Sequence, residues 1–270
     1  MSIKGEWIKY ENQRGYFAYP EHAALPLPGV IVIHEIGGVN ENIEDITRRI
    51  AAAGYAALAP DLFAVNGVRP EALSSERIKM TTGFMFNLPP EVRGDPAKRT
   101  EELAKLPENE RSKISETIGQ LYAGPEKTPL YIEKLMVAVR YLKHERKETA
   151  EQKVACVGFC MGGGLSALLA CEDNDISGAA VYYGMTPPAD KIEKLNCPVI
   201  AFYGGNDQRI NAGIPLFIES SKKSGKSYEH YIYQGANHAF FNDSAQSYDV
   251  KAARDSFARL TAFLSRTLSG

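Results

Sequence analysis

Three side chains in this sequence are of types that could together perform acyl transfer: Cys160, Asp207 and His238. Cys160 lies between Gly158 and Gly162 in a G-x-C-x-G pattern, a strand-to-helix elbow with sulfur where the commoner motif carries a serine oxygen. A thiol is a useful nucleophile only as its thiolate. An imidazole can take that proton and return it, and a carboxylate fixes the ring's tautomer and orientation. Each of the three follows an apolar stretch by a few residues, which puts each at the end of a strand. Taken singly, each has a plainer role open to it. Cys160 could be a buried packing residue beside glycines, Asp207 a turn residue after Gly204, Gly205 and Asn206, and His238 a helix cap or surface side chain.

The elements that must position them can be read outward from the cysteine. Residues 154–157 are apolar and include β-branched valines, which predicts a buried strand. Residues 158–162 form the turn, and good helix formers carry a helix to about residue 171. That delivers Cys160 to a helix N-terminus, where unpaired N–H groups and the helix dipole stabilise a thiolate or an oxyanion. A phosphate loop would need Lys and Ser or Thr where Gly164 and Leu165 stand, and a dinucleotide fingerprint would need a further glycine inside the turn. His34 and Glu35 open like a zinc H-E-x-x-H, but the second histidine would fall at Gly38. Cys156, Cys171 and Cys197 match no zinc spacing and no C-x-x-C redox pair, so they read as packing residues. No cofactor and no metal is expected.

The chain has 270 residues, 44% hydrophobic and 24% charged, with a net charge of −2. That is an ordinary globular composition with length for a sizeable core. The near-neutral balance gives no reason to expect nucleic acid or a membrane surface as a partner. The first residues lack the apolar core of a signal peptide, and no apolar run approaches membrane-spanning length. With four cysteines in no disulfide pattern, a cytoplasmic location is expected, with monomer and homo-oligomer both open.

Along the chain, residues 6–19 predict a hairpin and 20–28 a proline-bearing loop. Strands are predicted at 30–34, 55–59, 178–183, 198–203 and 228–233, and helices at 41–53, 130–144, 213–224 and 245–268. The alternation implies an α/β fold, a mostly parallel central sheet with helices on both faces and ligands bound at the carboxyl ends of the strands. Residues 62–127 break the rhythm. Two polar helices are predicted there, near 95–105 and 108–121, and the apolar run Phe84, Met85, Phe86 and Leu88 suits a lid more than a solvated excursion. The whole, residues 1–270, reads as one domain with a helical lid or cap inserted at 62–127.

The order nucleophile, acid, histidine is that of the α/β-hydrolase triad. The segments Gly158 to Gly163, Tyr203 to Asp207 and Ala236 to Phe240, with the loop His34 to Asn40, resemble the dienelactone hydrolase family of the α/β-hydrolase fold. The resemblance covers most of the chain and is weakest over 62–127. It implies Cys160 as nucleophile, His238 as base and acid, Asp207 as its orienter, and Glu35 as a carboxylate that contacts the resting thiol and helps activate it when substrate arrives. By analogy with other hydrolases, the backbone N–H groups of Ile36 and Met161 would form the oxyanion hole. One position departs from the family pattern. An arginine that binds the substrate carboxylate stands four residues after the family's catalytic histidine, and here that place is Asn242, with Arg93 of the insertion as a substitute candidate. The expected substrate is a small ester or lactone, cleaved through a covalent thioester. The rival readings are a cysteine peptidase or thiol-redox protein, and a small-molecule binder that keeps the fold without the chemistry.

Overall fold

Apolar runs that do not alternate with polar residues need cover on both faces of the sheet they form. The computed structural model, which describes residues 2–122 and 125–269, supplies it. Eight strands, β1 (Ile3–Tyr10), β2 (Gln13–Pro20), β3 (Gly29–Ile33), β4 (Ala56–Pro60), β5 (Val154–Phe159), β6 (Ile176–Tyr182), β7 (Val199–Gly204) and β8 (Tyr228–Tyr233), form one sheet in the order β1-β2-β4-β3-β5-β6-β7-β8. β2 runs antiparallel to β1 and to β4, and every other pairing is parallel. The sheet is mostly parallel, as predicted.

Eleven α-helical segments are seen among the described residues: α1 (Glu41–Ala52), α2 (Ser75–Asn87), α3 (Pro90–Arg93), α4 (Pro96–Ala104), α5 (Glu108–Leu121), α6 (Thr128–Arg140), α7 (Met161–Glu172), α8 (Ala189–Ile192), α9 (Gln208–Asn211), α10 (Ile214–Ser224) and α11 (Val250–Leu268). Successive strand residues point to opposite faces, so each central strand feeds two cores. Ile31, Ile33 and Cys156 pack with Leu135 and Val139 of α6, Leu169 of α7 and Phe217 of α10. Val30, Val32 and Val157 pack with Ile43, Ile46 and Ile50 of α1 and with Leu260 and Leu264 of α11. At about 25 cal/mol per Å² of apolar surface removed from water, this double burial holds the central strands rigid and gives the loops at their carboxyl ends fixed starting points.

Several boundaries differ from the sequence reading. The last helix begins at Val250, not 245, because the Asp249 side chain accepts from the N–H groups of Lys251 and Ala252, both at 3.0 Å, and caps it there. The helix predicted at 130–144 starts at Thr128, and its final turn, Tyr141–Glu145, widens to a π-turn. The predicted insertion contains α2 as well as the two expected helices, while its Ala123 and Gly124 lie outside the described residues. α2 escapes an apolar-periodicity reading because its buried face carries Arg77 and Thr81 beside Ile78 and Met85. Arg77 donates to Thr117 Oγ1 (3.3 Å), to the Lys113 carbonyl (2.7 Å) and to Glu116 Oε2 (2.6 Å), stitching α2 to α5 with polar contacts. Met85 and Leu88 are buried, but Phe86 is exposed beneath the Arg93 guanidinium, 5.5 Å from its ring centroid.

Candidate active site

The elbow between β5 and α7 is forced by close backbone approach. A Cβ on Gly158 would lie 1.8 Å from the Gly162 carbonyl oxygen, and one on Gly162 would lie 2.2 Å from that of Ile33. Between them Cys160 adopts φ +54° and ψ −112°, a region non-glycine residues avoid at a cost of about 1–3 kcal/mol. Three hydrogen bonds hold it there. Its N–H donates to the Tyr182 carbonyl (3.0 Å), and its carbonyl accepts from Gly163 (3.0 Å) and Gly164 (3.2 Å). The other three cysteines are buried, and burial pushes the thiols of Cys156 and Cys171 up to about 12, in keeping with packing roles. Cys160 is partly exposed, at the first turn of α7.

His238 comes from the loop between β8 and α11, and Asp207 immediately precedes α9. The two loops are tied by Asn206, whose amide donates to the Gly235 carbonyl (2.9 Å) and to Asn237 Oδ1 (3.1 Å). His238 Nε2 lies 3.1 Å from Cys160 Sγ, and His238 Nδ1 lies 2.5 Å from Asp207 Oδ2. Burial works against the charged ring, but the hydrogen bonds with Asp207 and Cys160 outweigh it and lift His238 to about 10. At 3.1 Å the ring is placed to exchange a proton with the sulfur.

Glu35 follows β3. Its Oε1 accepts from the Tyr183 hydroxyl (3.0 Å) and its Oε2 from the Asn242 amide (2.9 Å). Burial pushes this carboxyl up, and the bonds from Asn242 and Tyr183 pull it partly back. The Tyr183 ring stands edge-on to His238, with centroids 5.1 Å apart. The resemblance implies a contact between Glu35 and the resting thiol. Here both carboxylate oxygens are engaged by Tyr183 and Asn242, and the sulfur faces the imidazole instead.

Ile36 and Met161 flank this cluster. The peptide joining Glu35 to Ile36 is fixed from its carbonyl side. Glu35 O accepts from His34 Nδ1 (2.6 Å) and from the Gly38 N–H (3.0 Å). His34 is fully buried, and its Nε2 accepts from the Leu62 N–H (3.2 Å), so the proton sits on Nδ1. Burial lowers this imidazole to about 4 and keeps it neutral. In a trans peptide, C=O and N–H point opposite ways, so the Ile36 N–H is turned away from the carbonyl's partners. Among the described residues, neither Ile36 N–H nor Met161 N–H donates to a protein acceptor, which leaves both free for a ligand oxygen. The loop is anchored further by Arg69, which donates to the Val39 carbonyl (3.1 Å) and pairs with buried Asp61 (2.8 Å). Arg93 lies in α3, at a cavity lined also by Arg99 and Arg209. No group of three or more His, Cys, Asp or Glu among the described residues could hold a metal ion.

The sequence profile of the dienelactone hydrolase family matches residues 13–268, nearly the whole chain. This chain belongs to the dienelactone hydrolase family. A candidate carboxymethylenebutenolidase of Saccharolobus solfataricus is 38% identical over 255 residues, 94% of this chain and 93% of that one. A candidate carboxymethylenebutenolidase of Methylorubrum extorquens is 30% identical, covering 96% of this chain and 79% of its own. The crystal structure of a candidate dienelactone hydrolase from Klebsiella pneumoniae superposes with a TM-score of 0.69 at 25% identity, covering 98% of this chain and 100% of that one. The α/β-hydrolase fold and a dienelactone hydrolase-like ester hydrolase activity follow. No helix among the described residues is long and apolar enough to cross a membrane.

Within this family member, sequence reasoning missed Tyr183 and the parts played by His34 and Asn242. Tyr183 had a legible signal, a large polar-tipped ring just beyond a buried strand. His34 had one too, a polar residue closing an apolar strand. Asn242 had none, because its partner Glu35 is 207 residues away.

Proposed function

We propose that the enzyme cleaves a small carboxylic ester or lactone by covalent catalysis at Cys160. Sγ attacks the carbonyl carbon, and the carbonyl π electrons move onto oxygen. The backbone N–H groups of Ile36 and Met161 hold that oxyanion. As it collapses, the C–O bond to the alcohol breaks, and the leaving alkoxide takes a proton from His238 Nε2. The acyl group is then a thioester on Cys160. His238, now neutral, removes a proton from water as the water attacks, and the thiolate departs with the carboxylic acid released. Asp207 keeps the other ring proton on Nδ1 and stabilises the imidazolium at both stages.

The observation that carries this reading is the unbroken line Sγ–imidazole–carboxylate, at 3.1 Å and 2.5 Å. Glu35 serves in this account by holding Tyr183 against His238 and by fixing Asn242, so it tunes the ring instead of guarding the sulfur. The helices between β4 and α6 act as the lid. The burial of Met85 and Leu88 in this segment supports that reading, since it packs apolar side chains and does not trail through solvent. The set of unbridged thiols fits a reducing cytoplasm.

A panel of neutral esters and lactones, assayed with wild type and Cys160→Ala, tests the mechanism. Turnover lost in the variant, with an acyl mass adduct on Cys160 in wild type, is the expected result. Undiminished turnover by Cys160→Ala would remove it.

A further inference from the structure

The carboxylate of Asp61 is wholly buried, and two arginines pair with it. Arg14 Nε donates to Oδ2 at 2.9 Å, while Arg69 Nε reaches both oxygens, at 3.0 Å and 2.8 Å. Arg14 alone balances the buried charge. The Arg69 side chain, only 7% exposed, turns its other donors elsewhere. Nη2 donates to the Val39 carbonyl (3.1 Å) and Nη1 to Ser75 Oγ (3.2 Å). Val39 lies in the loop after β3, and Ser75 is the first residue of α2 in the insertion.

The loop is shaped around that guanidinium. Gly38 has φ +73°, and a Cβ there would lie 2.7 Å from Arg69 Nη2 and 3.1 Å from Phe63 Cδ2. The Gly38 N–H closes a turn on the Glu35 carbonyl at 3.0 Å, with Ile36 inside it. His34 grips one end of this turn through the Glu35 carbonyl (2.6 Å), and Arg69 grips the other through Val39. Phe63 lies between the two, its ring centroid 4.8 Å from that of His34 and 5.9 Å from the Arg69 guanidinium. The loop also meets the elbow directly, since a Cβ on Gly162 would lie 2.7 Å from the His34 carbonyl oxygen.

Ser75 belongs to a stitched block. Ser74 caps α2 by accepting from the Arg77 N–H (3.4 Å), Thr117 Oγ1 of α5 donates to the Ala72 carbonyl (2.8 Å), and Arg77 bonds Glu116 (2.6 Å). Of the four Arg69 hydrogen bonds, the one to Ser75 is exposed and the other three are partly buried. Water competes for the exposed bond, so it is the first to open. A planar guanidinium passes a displacement at one edge to its other partners. A flexible ammonium stem would not.

We propose that Arg69 is a positioning residue: it aims the Ile36 N–H by gripping the far end of its turn, and its bond to Ser75 makes that aim depend on the seating of the insertion. The inference rests on the Ile36 N–H holding the oxyanion, as proposed above. Among the described residues Arg69 bonds none of Cys160, Asp207 and His238, so it acts through the loop. The oxyanion develops only in the transition state, so a loosened turn lowers kcat more than it changes KM. A misplacement of about 1 Å costs roughly a hundredfold in rate.

Steady-state kinetics on the neutral ester that wild type cleaves fastest, with hydrogen exchange at the Gly38 amide, test the proposal. Arg69→Met and Arg69→Lys are each expected to lower kcat by about tenfold to a hundredfold, with KM within about twofold of wild type. Both are expected to speed Gly38 exchange by about tenfold or more. Arg14 still pairs with Asp61 in each, and urea midpoints report the fraction folded during the assay. Ser75→Ala, at an exposed position, is expected to lower kcat by about two- to tenfold and to speed Gly38 exchange to a smaller degree. Unchanged kcat in Arg69→Met would overturn the proposal, as would full activity in Arg69→Lys or a loss no larger than the unfolded fraction. Unaltered Gly38 exchange in Ser75→Ala would overturn the link to the insertion, and that variant carries the test should neither arginine variant fold. Failure of the Cys160 mechanism is read separately, as undiminished turnover in Cys160→Ala, whereas Gly38 exchange needs no turnover.

Discussion

Replacing His34 by leucine probes the buried imidazole that orients the loop after β3. The side chain is fully buried, donates to Glu35 O and accepts from Leu62 N. Its ring is lowered to about 4 by burial, whereas in the unfolded chain it protonates near 6.5. Between those values the unfolded chain binds the extra proton and the folded one does not. The His34 contribution to stability is therefore full above about pH 6.5 and is lost as pH falls to about 4. The gap of roughly two and a half units is worth about 3 kcal/mol. At pH 7 the leucine variant pays no such penalty, but it orphans the buried Leu62 N–H at about 1–3 kcal/mol. The variant is thus expected to be less stable than wild type at neutral pH, with the two curves converging or crossing below about pH 5. Urea midpoints for both proteins from pH 7.5 to 4.5 measure this, and the difference curve removes carboxylates common to both. Because the Ile36 N–H loses its fixed direction, kcat is also expected to fall by up to about a hundredfold. Parallel stability curves would refute the buried-neutral assignment, and an unchanged kcat would refute the positioning role.

Three further outcomes are expected. In His238→Ala, turnover of the ester panel should fall by about a hundredfold or more, since no group is left to carry the proton between sulfur, alcohol and water; undiminished turnover would show that the ring takes no part. Gly162→Ala sets a methyl group 2.2 Å from the Ile33 carbonyl oxygen, and a loss of stability above about 3 kcal/mol is expected by thermal unfolding, against near-neutrality for an alanine at the unobstructed Gly119. Asn242→Leu strips one donor from the Glu35 carboxylate and pushes that carboxyl higher still. The stability loss, about 1–3 kcal/mol, is expected to grow as pH rises, because the lost donor served the charged form of the carboxyl.

The meeting of Cys160, His238 and Asp207 was legible because the chemistry proposed for them restricts residue type and the fold restricts place. A cysteine between close-packed glycines, an aspartate after β7 and a histidine after β8 are rare in combination, and three apolar strands announce their positions. The sheet was legible for a related reason, since runs such as residues 30–33 have no polar face to offer water. What escaped were features set by long-range pairing. α2 buries an arginine whose partners lie about 40 residues on, so no local period marks it. The contacts of Glu35 depend on where Tyr183 and Asn242 meet it in space. The exposed Phe86 shows the limit of reading apolar runs as buried, because an overlying guanidinium covers part of the ring.

The left-handed backbone at position 160 has an evolutionary side. Glycine would occupy it without strain, and even after allowing for about 0.5–1 kcal/mol of extra chain entropy, Cys160→Gly is expected to melt no lower than wild type. With the proposed chemistry, stability and reactivity select different residues at one site. A descendant released from acyl chemistry would drift toward glycine there, and a homologue that retains a β-carbon in that conformation carries a mark of continued use.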